Sequence, residues 1–310
     1  MTIAWVTGAK GFIGRHIAKS LANAGLNVSG IDHSAWTDTE STKWGLSYCL
    51  YGDVSLANLD RLAHKTGIPE QIFHLAGGSS VGLSLQTPEQ DFRLSVDSTA
   101  QILEWAHNHA PQTHLVLASS AAIYGDGYLK PISESNVIQP YSPYGYHKRI
   151  AELLFESYHK NFGLYTAIVR LFSVYGPELR KQLLWDLCTK VKNKPREIVL
   201  AGSGQEKRDW FHVQDAVQYL IKAASLTDTG GFVVNGGSGN AVTVQEIAEY
   251  VRDLLGTNTQ IVFSGISRPG DPQYLVADTQ LAQSMGLLPT IDWHAGIKEY
   301  VVWFQNAKGK

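Results

Sequence analysis

Between an apolar run, Ile3 to Thr7, and an amphipathic stretch, Phe12 to Ala24, stands the segment Thr7-Gly8-Ala9-Lys10-Gly11-Phe12-Ile13-Gly14. A buried strand that passes through a glycine turn straight into a helix is the opening of a βαβ unit. Glycine permits the tight turn and lets a ligand approach the backbone closely. The helix start beyond it offers free N–H groups and a partial positive charge. A pyrophosphate fits that description. The spacing is G-x-x-G-x-x-G rather than G-x-G-x-x-G, and glycine triplets also occur as plain turns. Context has to decide between the two.

The rest of the first half keeps the alternation. Val28 to Asp32, Gln71 to Leu75, His114 to Ser119 and Thr166 to Leu171 read as strands. Pro88 to Asn108 and Tyr144 to Phe162 have helical spacing, and Val81 to Gln86 reads as a loop. Strands separated by helices predict an α/β fold: a Rossmann-type, doubly wound parallel sheet with helices on both faces. After Tyr175 the pattern loosens into shorter elements. Among them are Leu183 to Val191, Val213 to Ser225, and Val244 to Leu255 behind a Thr243 cap with Glu246 three residues on. The expected division is a dinucleotide-binding domain over 1–175, with later returns near 209–236. A smaller α/β substrate lobe is expected over most of 176–310.

With 310 residues, 44% of them apolar, the chain can bury a core of ordinary size. A formal net charge of −2 gives no basic field for nucleic acid or an anionic membrane. No run approaches the ~18 apolar residues that span a bilayer. Cys49 and Cys188 fit no metal spacing and read as reduced thiols. The start of the chain lacks the pattern of a signal peptide, so a cytoplasmic protein without a metal is expected.

Asp32 closes the second strand, where a carboxylate takes the ribose hydroxyls of NAD. No arginine follows it to favour a 2′-phosphate, so NAD is read over NADP. Asp53-Val54 follows another short apolar run, where a carboxylate meets an adenine amino group or simply makes a turn. Tyr144 and Lys148 lie four apart on one face of a helix. An ammonium beside a phenol stabilises the phenolate, and the pair then exchanges a proton with a substrate oxygen. Ser120, at the end of the strand from His114, is placed to hydrogen-bond the same oxygen.

With these features in order, the chain resembles the extended short-chain dehydrogenases/reductases, and within them the NAD-dependent epimerase/dehydratase group. The resemblance is carried by the glycine turn, His74-Leu75-Ala76-Gly77, Ser119-Ser120-Ala121-Ala122-Ile123-Tyr124-Gly125 and Ser142-Pro143-Tyr144-Gly145-Tyr146-His147-Lys148. It continues through Arg170 to Pro177, Gly202 to Asp215 and Arg268 to Pro272, so it covers nearly the whole chain. It implies Tyr144 as the acid/base, Lys148 tuning it while contacting the nicotinamide ribose, and Ser120 as the third catalytic group. It implies a cofactor cradle of Gly8, Gly11, Phe12, Ile13, Gly14, Asp32, Asp53, Val54, Leu75 and Ala76. It implies a nucleotide-diphosphate sugar held by Ser173, Arg208 and Arg268, the arginines pairing with phosphate. A homodimer through the Tyr-Lys helix and the one before it is also implied, with Leu153, Leu154 and Phe155 as candidate apolar contacts.

Two positions depart from the family pattern. Dehydratases carry Asp-Glu where this chain has Ala121-Ala122, so dehydration is disfavoured. Serine stands at 173 where many relatives have an asparagine near the substrate phosphate. The leading expectation is a nucleotide-sugar 4-epimerase; the alternative is a reductase of a 4-keto-6-deoxy nucleotide sugar. Retention of Ser120, Tyr144 and Lys148 weighs against a dinucleotide sensor without chemistry.

Overall fold

The computed structural model describes residues 2–193, 195–266 and 271–307, and it divides into two compact units. The first comprises 1–125, 137–171 and 217–234. Six of its strands are Ile3–Thr7 (β1), Asn27–Asp32 (β2), Tyr48–Tyr51 (β3), Gln71–His74 (β4), His114–Ser120 (β5) and Tyr165–Leu171 (β6). With the strand Phe232–Gly236 at the edge beside β6, the sheet runs β3-β2-β1-β4-β5-β6 and then that strand. Every pairing from β3 to β6 is parallel. The chain builds outward from β1 to β3, crosses back, and builds the other way from β4. The order therefore reverses between β1 and β4, and ligands bind such sheets beyond the strand ends at that point. The glycine turn leaves β1 there, and the segment Leu75–Gly78 leaves β4 there.

Strand burial follows composition. β1 is Ile-Ala-Trp-Val-Thr, with its last four residues buried, as a strand covered on both faces must be. One core cluster joins Trp5, Ile72, Leu115 and Leu117 to Leu59, Leu62, Ile102, Leu103 and Phe155 of the covering helices. Trp5 and Trp105 meet with ring centroids 4.9 Å apart. A fully buried side chain of this kind stabilises the fold by about 1.5–3 kcal/mol. The helix Pro143–Phe162 has Pro143 at its first position and Gly163 in the left-handed region after its end. Ser142 caps its start by accepting the Gly145 N–H at 3.2 Å.

Two local readings of the sequence are corrected. Val81–Gln86 is a helix rather than a loop, with Ser80 accepting the Leu83 N–H at 3.3 Å as its cap. Pro88 to Asn108 is not one helix. It is Pro88–Phe92, a π-helical segment Arg93–Asp97, and Ser98–His109. The wider turn is accompanied by side chains bonding back to the backbone, Ser98 to the Leu94 carbonyl and Thr99 to the Ser95 carbonyl.

The second unit comprises 126–136, 172–216 and 235–310. The excursion 126–136 belongs to it through a bridge between Ile132 and Ala277. Asn235 supports that bridge, donating its side-chain amide to the Ile132 carbonyl and its backbone N–H to Glu134. The centre of this unit is Lys207–His212, paired with Ser173–Tyr175, Ala241–Thr243 and Tyr274–Leu275. Thr243 and Glu246 form a reciprocal capping box on Val244–Leu254. Cys49 and Cys188 form no disulfide. No described helix is long and apolar enough to cross a membrane.

Candidate active site

The glycine turn is built for close approach. Gly8 has φ +67, and a Cβ there would sit 2.9 Å from the Ala76 nitrogen. A Cβ on Gly14 would lie 2.1 Å from the Gly8 carbonyl oxygen. The turn thus nests against the start of its own helix and against the segment leaving β4. Gly11 caps the helix Phe12–Asn23 with no side-chain bond, so no side chain occupies the helix start. Phe12 and Ile13, its first residues, are partly buried. A Cβ at any of the three glycines would strike this backbone, so the compact turn requires glycine at all three positions.

Asp32 ends β2, 6% exposed. Its two carboxylate oxygens accept the N–H groups of Lys10 and Ser34, both at 2.9 Å, which fixes the group at the mouth of the turn. Gly52 N–H donates to the Asp32 carbonyl at 2.9 Å. That bond brings Asp53-Val54, the turn after β3, beside the same strand end. Asp53 is exposed, and its carbonyl accepts from Asn58.

Leu75 and Ala76 are held by a chain of hydrogen bonds that the sequence did not disclose. Thr7 Oγ1 accepts the Ala76 N–H at 3.1 Å and donates to His74 Nδ1 at 2.7 Å. His74 Nε2–H donates to Thr99 Oγ1 at 3.1 Å, and Thr99 donates to the Ser95 carbonyl at 2.6 Å. This direction requires a neutral imidazole. Burial, helped by the Lys148 charge, pushes the His74 pKa down to about 3.

Tyr144, Ser120 and Lys148 converge at the end of β5. A Cβ on Gly145 would come within 2.7 Å of the Ala122 carbonyl, so glycine lets the first turn of Pro143–Phe162 press onto the turn after Ser120. Tyr144 is partly exposed as a residue, and its buried hydroxyl lies beside the Ser120 hydroxyl. Ser84 Oγ accepts the Tyr144 N–H at 3.1 Å, a contact made by the helix that the sequence left as a loop. Lys148 is buried and donates to the Ala118 carbonyl at 3.0 Å, with Nζ 5.9 Å from the centre of the Tyr144 ring. Below them Glu152, fully buried, accepts from Ser119 at 2.6 Å and from Arg170 at 3.0 and 2.9 Å. Arg170 also donates to the Tyr124 hydroxyl at 2.9 Å.

The electrostatics correct one expectation. The ammonium of Lys148 was expected to lower the Tyr144 phenol, whereas the phenol is held above its ordinary value. Burial raises it, the Ser120 hydroxyl draws it back, and the Asp91 carboxylate adds to the rise. Burial also lowers Lys148, to about 8, while Asp91 and Glu152 oppose that fall.

The family model of the NAD dependent epimerase/dehydratase family matches residues 4–236. The chain belongs to that family. Within it, a putative UDP-glucose 4-epimerase of Methanocaldococcus jannaschii is 27% identical, covering 97% of this chain and 98% of its own. MoeE5, solved with UDP-glucuronic acid and NAD, is 30% identical with TM-score 0.87, over 98% of this chain and 99% of its own. The UDP-glucose 4-epimerase of Thermotoga maritima, solved with UDP-glucose, is 25% identical with TM-score 0.89, over 99% and 100% of the two chains. Like other members, this epimerase/dehydratase family chain is an NAD-dependent enzyme.

Of the family's substrate-side positions, Ser173 and Arg208 lie in the second unit. Ser173 pairs with Trp210 across neighbouring strands. Arg208 is mostly buried and sits 3.6 Å from Asp271. Arg268 lies outside the described residues. Leu153, Leu154 and Phe155 separate by burial: Phe155 is core, Leu154 packs against it, and only Leu153, 47% exposed, faces outward.

Proposed function

We propose that this chain is an NAD-dependent epimerase that inverts C4 of a nucleotide-diphosphate hexose by transient oxidation. One observation carries the reading: a phenol beside a serine hydroxyl and a buried lysine, on a helix packed against a turn whose side chains are Ala121 and Ala122. The helix and Ser120 supply proton-transfer groups for a hydroxyl, and the turn supplies no carboxylate for eliminating water. Relatives named for UDP-glucose and UDP-glucuronate favour inversion over the net reduction of a 4-keto sugar.

The glycine turn, with Gly8, Gly11, Phe12, Ile13 and Gly14, would hold the pyrophosphate. Asp32 would take the ribose hydroxyls, and Asp53-Val54 the adenine side. Leu75, Ala76 and Lys148 would line the nicotinamide end. Bound NAD supplies a reversible hydride acceptor, so no reductant is consumed. Tyr144, in its phenolate form, takes the proton of the C4 hydroxyl and returns it after the keto sugar has turned over. Ser120 hydrogen-bonds the same oxygen and holds it near the phenol. Lys148, charged below pH about 8, favours the phenolate when Tyr144 gives up its proton. Ser173, Arg208 and Arg268 would hold the nucleotide diphosphate. We further infer a cytoplasmic homodimer meeting through Ser98–His109 and Pro143–Phe162.

Proton NMR of the purified protein with a panel of uridine diphosphate hexoses, UDP-glucose and UDP-glucuronic acid included, tests this directly. A new anomeric signal of the C4 epimer is expected with no nicotinamide reductant added. Turnover only of a 4-keto sugar, and only with added NADH or NADPH, would establish the reductase instead.

A further inference from the structure

Asp91 is a buried carboxylate for which the chemistry above has no use. It lies on Pro88–Phe92, 5% exposed. Oδ2 sits 2.5 Å from Nδ1 of His147, a largely buried ring one residue before Lys148. Phe92 packs edge-on against that ring at 5.5 Å. On its other side the carboxylate rests on the backbone leaving β4: a Cβ on Gly78 would lie 1.7 Å from Oδ1. At the adjacent Gly77, a Cβ would be 3.1 Å from Lys148 Nζ and 3.3 Å from Ser95 Oγ. Ser95 in turn accepts the Gly78 N–H at 2.9 Å. Three elements therefore meet at one carboxylate: the catalytic helix, the segment at the nicotinamide end, and the helix that runs into the π-helical segment.

A carboxylate is not left in such a place by chance packing, because burying it unpaired is costly. His147 gives it a short hydrogen bond. The charged groups around it are few. From the catalytic helix they are Tyr144, Lys148 and the more distant Glu152. On its own element Glu89 pairs at the surface with Arg93, the first residue of the π-helical segment. From the β4 side Gly77 and Gly78 make the contact, and the titratable group there, His74, is held neutral by burial.

We propose that Asp91 and His147 form a positioning pair for Tyr144 and Lys148. The pair locks the first turns of the catalytic helix to the segment leaving β4. It also sets a fixed negative charge beside both proton-transfer groups, so that each holds its proton more tightly than it would without Asp91. The proposal rests on Tyr144 and Lys148 being the working pair, but its test needs no sugar. The direction of the electrostatics agrees, since the Asp91 carboxylate raises both groups.

The experiment is a pH titration of the protein carrying tyrosine labelled with ¹³C at Cζ, the Tyr144 resonance being identified by its loss in Tyr144→Phe. Asp91→Asn keeps the shape and removes the charge. Its Tyr144 midpoint is expected about half a pH unit or more below that of the parent. An unchanged midpoint in a folded Asp91→Asn protein would overturn the proposal. His147 gives an independent arm should that variant not fold. His147→Phe removes the donor and is expected to displace the midpoint, whereas His147→Asn, which retains a donor, leaves it in place. A midpoint unmoved by His147→Phe would overturn the pairing as well. Because no substrate is present, a failure here is distinct from a failure to epimerise.

Discussion

In the proposed reaction three side chains carry the chemistry, and their environments decide what each can do. Tyr144 is the proposed proton-transfer group, with Ser120 bonding the same substrate oxygen. Tyr144→Phe is expected to lower kcat about 10²- to 10⁴-fold, with an unchanged unfolding transition, as measured by initial rates and thermal melts. Lys148 is charged below pH about 8 and neutral above it, because burial disfavours its ammonium form. The rate is therefore expected to fall as pH rises through about 8, and a pH–rate profile of Lys148→Met should be low and without that limb. Residue types and order were legible in the sequence, since four-residue spacing puts Tyr144 and Lys148 on one helix face. The sign of the Tyr144 shift was not. It depends on desolvation and on Asp91, fifty-three positions upstream, and no local pattern reports which carboxylate packs beside a phenol.

At the scale of elements, the strand ends do the positioning. β1 and β4 are stitched together by Thr7 and His74 as well as by the sheet ladder, and His74 extends the stitch to Thr99. His74 is neutral in the fold and titrates near 6.5 when unfolded. As pH drops below about 6.5 the unfolded chain binds a proton that the folded chain refuses. Stability contributed by this site is thus intact above that pH and is lost at about 1.4 kcal/mol per pH unit as pH falls toward about 3. Urea unfolding between pH 7 and about 4 should show a steeper decline for the parent than for His74→Asn; equal slopes would contradict the assignment. The main strands and the two long helical regions were readable from apolar runs and period. The helix Val81–Gln86 and the π-helical segment were not. Six residues are too few for periodicity to speak, and a one-residue widening of a helix leaves the apolar spacing almost intact.

For the whole molecule, strand alternation predicted the doubly wound sheet because parallel neighbours require crossovers, and β1 to β6 obey it. The second unit was less legible. Its strands are two to six residues long, and its members are drawn from three separate stretches of chain, among them 126–136. Pairings such as Ile132 with Ala277 leave no local trace in sequence. The central claim is that hydride leaves C4 and returns to the same carbon. It is tested most directly with a UDP-hexose, of the kind the enzyme turns over, carrying deuterium at C4. Full retention of deuterium at C4 in both epimers, in ordinary water and without added reductant, is the predicted result. Washout of the label to solvent would mean that the carbon is inverted by proton transfer, and would contradict the account.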